Sequence, residues 1–368
     1  MAKLANLKEV EIGDILATLP NVSSLDITRD FAAVKDDLFL VALGFEERCL
    51  WIPELIAKEG KYRSNKGIYL EYLTNQSDND INRPNLLKAM ESFSSSVQPM
   101  IGDSNDYSSQ LRALLREITN NKSARVTFDI SVCSSRLLVT TLTILFEFDI
   151  NLRIVYSEAG IYHPTKEEYE ADPDKWEKDE GLGLASGVSA VIPSPDHPGN
   201  RRDNLPECVI VFPTFKPERS RAIIAHVDQS LIVNPKDRVI WIIGDPHLPQ
   251  DHWRTEVLKK INQIQAGAPL HEVSTFDYKK TLESMERLYK SLACKCHVNI
   301  APLGSKLQCI GIVLFWHIRP EASIIYASPR KYNAIYSEGC KAMWRIDFGP
   351  LAEIQKVLNS VGEIRIQK

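Results

Sequence analysis

The chain has 368 residues and a mass of 41.6 kDa, is 44% hydrophobic and 25% charged, and carries a formal net charge of -4 with a sequence pI near 6.1. This is the composition of a soluble globular protein of one large or two ordinary domains, and its acid excess argues against a generally basic nucleic-acid coat while leaving room for a local basic patch. No apolar run reaches the length of a membrane span, the first ten residues mix Lys and Glu without an apolar signal core, and seven cysteines, odd in number and without framework spacing, suit a reducing cytoplasm.

Residues 1–36 read as an N-terminal extension of short helix-like and strand-like fragments that packs on the unit following it. A first unit, 37–165, opens with a buried-strand pattern at 38–43 and continues into Gly44-Phe45-Glu46-Glu47-Arg48. A second strand is predicted at 67–72 and a helix at 107–118, where Leu111, Leu114, Leu115 and Ile118 recur at helical spacing. A third strand at 125–130 carries Asp129 and runs through Ser131 into Ser134-Ser135-Arg136, then into an apolar helix at 137–148 and a last strand at 152–156.

Residues 166–206 form a connection. It holds an acidic, charge-dense run at 166–180, a Gly-Leu-Gly turn, a short strand pattern at 188–192 and a stretch rich in Pro, Asp, Asn and Arg. Its length exceeds that of ordinary loops and predicts an added hairpin or a flap.

The second unit, 207–336, repeats the first at an offset of 170–171 residues. Strand 208–212 leads to Glu218-Arg219, matching Glu47-Arg48, and strand 238–243 matches 67–72. Helix 278–289 matches 107–118, and strand 297–301 leads into Gly304-Ser305-Lys306, the counterpart of Ser134-Ser135-Arg136. Tyr326 and Tyr156 align at the ends of the last strands, and Arg330, Lys331 and Tyr332 follow Tyr326. Six blocks in one order point to an internal duplication, because strand–helix rhythm alone would not align the Glu-Arg and Ser-Arg/Lys positions. Residues 337–368 read as a strand at 344–348, a helix at 351–361 and a short strand at 363–366 that close the far edge of the second unit.

Near-continuous apolar strands alternating with helices are buried on both faces, as in a parallel sheet. The predicted fold is therefore α/β: two duplicated Rossmann-like, doubly wound units forming an intramolecular pseudo-dimer, with polar residues at the carboxyl ends of the strands around a shared cleft. Glycine at Gly304, a helix start and the charge of Lys306 suit a phosphate, and a tight turn with a solvated lysine fits the same residues. Ser134 or Ser135 reads as an N-cap, or as part of an anion site with Ser131 and Arg136. Glu46 and Arg48 line a cleft or start a solvated helix, and Arg219 shares their geometry. Glu46 and Asp129, with Asp103 nearby, can be drawn as a general base or a Mg2+ seat; capping of loop N–H groups serves Asp129 equally. Tyr326 and Arg330 could stack on and pair with a nucleotide. Cys294-Lys295-Cys296-His297 lacks zinc-site spacing and reads as buried cysteine; His247 and His252 read as a polar cleft loop. No cofactor fingerprint is present.

Tandem Rossmann-like units with a strand–[Gly/Ser]-Ser-Lys/Arg–helix turn resemble CARF-type domains, the ligand-sensing modules of prokaryotic defence proteins, over 38–165 and 208–340. The resemblance implies a cleft for a nucleotide or oligonucleotide second messenger, with Ser135, Arg136, Ser305 and Lys306 holding phosphates. Such proteins usually carry a separate effector, and this chain has no room for one. The resemblance therefore implies a protein partner that supplies the effector activity, or chemistry in the cleft itself. Expected, then, is a cytoplasmic, non-membrane protein that binds a phosphate-bearing nucleotide; the alternatives are a phosphodiester or nucleotide hydrolase using Glu46 and Asp129, and a non-catalytic partner-binding subunit.

Overall fold

Strands form where the apolar runs predict them: Lys35–Ala42, Arg63–Glu71, Ala124–Asp129 and Ile150–Tyr162 in the first unit, and Glu207–Val211, Val239–Asp245, His297–Ala301 and Ser323–Pro329 in the second. The computed structural model describes residues 7–9, 11–74, 76–120, 122–177, 187–201, 204–330, 337–361 and 364–366. The Gly-Leu-Gly turn, the last residues of the acidic run, Lys331, Tyr332 and Glu363 lie outside the described residues.

Each unit also has a parallel strand that the sequence reading missed, Val97–Ile101 and Leu270–Ser274. Both are largely exposed edge strands, so neither carries an apolar run. With these included, the two sheets share one order. In each, the five parallel strands taken in chain order lie as third, second, first, fourth, fifth. The chain lays the first three strands down in one direction and then crosses back. The switch point falls between the first and fourth strands, where open α/β sheets leave a crevice for ligands.

Each sheet is completed by an antiparallel strand from beyond the predicted units. Val188–Pro193, in the connection, follows the fifth strand of the first unit but pairs with Ser323–Pro329 of the second. Ser337–Pro350 follows the fifth strand of the second unit but pairs with Ile150–Tyr162 of the first. This corrects the expectation that the C-terminal strand closes the second sheet: it extends the first, and Ser23–Ser24 of the N-terminal extension pairs onto its outer side. The exchange is reciprocal, so neither sheet is completed without a segment that follows the other.

The centre is built from two helices that are apolar all round. Every residue from Leu137 to Phe146 is buried, as is every residue from Leu307 to Phe315, the pattern of a helix enclosed on all sides. The Ser135–Phe146 and Lys306–Ile318 helices pack on each other, and a single hydrophobic core runs through both units. Because these central helices begin at the two Ser-Arg/Lys turns, their mutual packing brings both turns to one place.

Candidate functional site

Between the carboxyl ends of the two sheets lies a cavity of about 940 Å³. Its walls take residues from both units, from the connection and from the C-terminal strand. Glu46, Ser134, Ser135, Arg136, Arg219, Gly304, Ser305, Lys306 and Tyr326, singled out from sequence, all line it.

Both turns are built as helix N-termini. The Ser134 hydroxyl accepts from Leu137 N at 3.2 Å, and the Ser305 hydroxyl accepts from Gln308 N at 3.1 Å. Gln308 Oε1 accepts from Ser305 N at 2.9 Å, completing a capping box. Ser134 is thus the N-cap of its helix, as one reading of that turn expected, and Ser305 caps the other helix, a role not read from the sequence. The next N–H groups, at Ser135 and Arg136 and at Lys306 and Leu307, have no carbonyl one turn earlier and face the region of positive helix potential. Arg136 and Lys306 are half-buried in the cavity wall, and neither forms an ion pair among the described residues. Burial, aided by the charge of Arg48 and opposed by Glu46, presses the Lys306 ammonium below its ordinary pKa. A group so held gains from an incoming anion. Arg219 donates Nε and Nη2 to Ala327 O at 3.1 and 2.9 Å, which fixes its guanidinium on the second-unit side.

Behind the floor sits a buried ion pair. Arg48, 1% exposed, donates Nη2 to Glu46 Oε2 at 2.6 Å and Nη1 to Ser157 O at 2.8 Å, with its guanidinium 5.8 Å from the Tyr162 ring centre. The Ser337 hydroxyl also donates to Glu46 Oε2. Burial works against ionisation of Glu46, but the charges of Arg48 and Lys306 and these hydrogen bonds outweigh it and hold the carboxyl below its usual range. Glu46 thus ties the first-unit turn to the start of the C-terminal strand.

Four predicted site residues do not line the cavity. Arg48 is behind Glu46. Asp129, fully buried, accepts from Ser131 N at 2.9 Å and from the Ser131 hydroxyl, while Ser131 Oγ accepts from Ser157 N at 2.8 Å. Asp129 and Ser131 therefore knit the ends of two strands and touch no ligand space, which removes the geometric basis for Asp129 as a catalytic base in this conformation. Arg330 is exposed and does not line the cavity, although Pro329 before it does. Asp103 lines the cavity with both carboxylate oxygens on Leu73 N. No group of three or more His, Cys, Asp or Glu suited to a metal exists among the described residues. His252 turns back to Pro246 O at 2.9 Å, so it does not join His247.

Several lining residues escaped the sequence reading. The Tyr72 hydroxyl accepts from Ser134 N at 2.8 Å and donates to Val132 O at 3.4 Å, bracing the turn from both sides. Glu158, 5% exposed, accepts from Trp344 Nε1 at 2.8 Å and lies 3.3 Å from His247 Nε2, while His247 packs on Phe276 at 4.3 Å. Arg254 donates to Tyr162 O and Pro164 O at 2.6 and 2.7 Å, joining the second unit to the end of the first. Tyr72 and Phe276 immediately follow or lie just past parallel strands; recognising the edge strand before Phe276 would have pointed to it.

No family model and no curated protein matches the chain. It is similar to a functionally unknown protein of Pseudomonas aeruginosa PAO1, at 9% identity over 90% of this chain and 98% of that one, with a TM-score of 0.23.

Proposed function

We propose that the chain binds a phosphate-bearing nucleotide or short oligonucleotide in the cavity between its two units. The observation that carries this reading is the convergence of two equivalent strand-to-helix turns on one cavity, each presenting first-turn amides beside a cation, Arg136 in one and Lys306 in the other, that makes no direct ion pair among the described residues. Amide groups at a helix N-terminus together with a fixed positive charge suit a phosphate. Lys216 and Arg219 add charge on one side, and Tyr156, Tyr162, Phe276 and Tyr326 offer rings for bases to pack against.

The shared strand order and the reciprocal edge strands support descent of the two units from one duplicated ancestor. On this reading, and following the CARF-type resemblance, the chain is a sensor in a defence or signalling system, and its effector is a partner protein. Binding stands ahead of hydrolysis, because Glu46 is engaged by Arg48 and Ser337 and Asp129 is sealed from the cavity.

Native mass spectrometry of the freshly purified chain, with extraction of bound nucleotides and a thermal-shift panel run with and without Mg2+, tests the reading. A retained or stabilising nucleotide is expected. Absence of any ligand and of any shift across the panel would refute it, and conversion of the ligand on incubation would select the hydrolase.

A further inference from the structure

At the opposite ends of the second-unit strands, two cysteines distant in sequence meet. Glu207–Val211 runs beside His297–Ala301, with Cys208 in register with Val298, and Cys296 immediately precedes the second of these strands. The two Sγ atoms are 2.7 Å apart, within about 1 Å of a disulfide bond length. Cys296 is held there by its own N–H on Leu292 O at 3.0 Å. Cys208 is fully buried and Cys296 is 5% exposed, while Cys294, two residues earlier, is exposed.

We infer that Cys208 and Cys296 form a reversible redox pair, a dithiol that a low-molecular-weight disulfide such as oxidised glutathione closes to a disulfide. The exposed Cys294 thiolate attacks the glutathione disulfide and expels one glutathione thiolate. Cys296 then attacks the Cys294 sulfur and expels the second. Cys208 attacks Cys296 and releases Cys294 as a thiol. Two protein thiols lose two protons and two electrons, and one glutathione disulfide becomes two glutathiones. The hydrogen bond shared with Cys208, with the charges of Arg238 and Lys295, draws the Cys296 thiol below its ordinary pKa against the effect of burial, which favours it as the attacking sulfur in the second step. The bond joins the two strands whose far ends lead to Arg219 and to Gly304-Ser305-Lys306, so it staples the second unit across its switch point. This inference is independent of what the cavity binds.

The test uses the full chain, fully reduced, then incubated with excess oxidised glutathione, denatured, alkylated with N-ethylmaleimide and mapped. The expected result is two adducts fewer than the seven cysteines allow, a linked peptide containing Cys208 and Cys296, and restoration of all adducts by dithiothreitol. Cys294→Ser slows closure without changing the end product. Seven adducts after oxidation, a stable Cys294–Cys296 product, or a persistent glutathione adduct would overturn the inference. The map of the unaltered chain decides the matter even if Cys208→Ala does not fold; where that variant folds, it retains every remaining adduct.

Discussion

Replacing Asp129 by Asn isolates an electrostatic strain that the fold carries beneath the cavity. Asp129 has no exposed surface; its Oδ1 accepts two hydrogen bonds from Ser131, and its Oδ2 meets no partner among the described residues. Burial dominates and pushes its pKa up to about 7, against the Ser131 hydrogen bonds and the charges of Arg48 and Lys306, from an ordinary 3.8. A carboxyl whose folded pKa is raised is protonated in the folded chain while the unfolded chain has already lost the proton. Between pH 3.8 and 7 the folded state therefore binds more protons, and stability falls as pH rises through that window. At about 1.4 kcal/mol per pKa unit, the loss between pH 5 and pH 8 is about 2–3 kcal/mol. Asparagine keeps the acceptor for Ser131 and does not titrate. Urea unfolding of both proteins at pH 5, 6, 7 and 8 should show Asp129→Asn gaining on the parent by that amount as pH rises. All other titrating groups are common to both chains and cancel in the difference. An unchanged difference across the pH series would refute the argument that Asp129 is held protonated by burial.

Other substitutions test the packing around the site. Arg48→Met leaves Glu46 buried without its cation and should cost about 3–5 kcal/mol in chemical unfolding, while the double variant with Glu46→Gln should recover part of that loss. His317, stacked on Phe146 at 4.9 Å, has its pKa lowered by burial to about 4 from 6.5. The unfolded chain takes up its proton first as pH falls, so this stability is complete above pH 6.5 and is lost toward pH 4. His317→Phe should remove about 2 kcal/mol of that acid sensitivity, read from unfolding free energies at pH 4.5 and 7. A Cβ at Gly311 would lie 2.5 Å from Tyr278 O and 2.6 Å from Thr281 Cβ, so Gly311→Ala should destabilise by about 1–3 kcal/mol through overpacking of the Lys306–Ile318 helix against the Tyr278–Leu292 helix, measurable as a lowered melting temperature.

The elements that the sequence reveals are those whose local pattern matches their burial. The helix predicted at 107–118 is Tyr107–Ile118, and the one predicted at 137–148 begins two residues earlier, at Ser135, because apolar periods and Ser caps are local signals. Val97–Ile101 escapes because Pro99 and exposed neighbours on an edge strand leave no apolar run. The destination of Ser337–Pro350 is equally hidden: its half-exposed residues read as a strand, but only tertiary pairing decides which sheet it joins. Site residues placed directly after strands are legible, since parallel topology sends those ends to one edge. Contacts such as Glu46 with Ser337, or Cys208 with Cys296, join residues far apart in sequence and come only from the fold. Asp129 shows the limit of the same logic, because a strand end can face inward as well as into the crevice.

Isothermal titration of the chain with mono-, di- and trinucleotides, linear and cyclic, alongside Arg136→Ala and Lys306→Ala, bears most directly on the account. At least one phosphate-bearing compound should bind, and each substitution should weaken it by about 10- to 100-fold, the worth of a charge-assisted contact. Binding that both variants leave intact, or no binding by any member of the panel, would contradict the assignment of the two turns as a shared phosphate site.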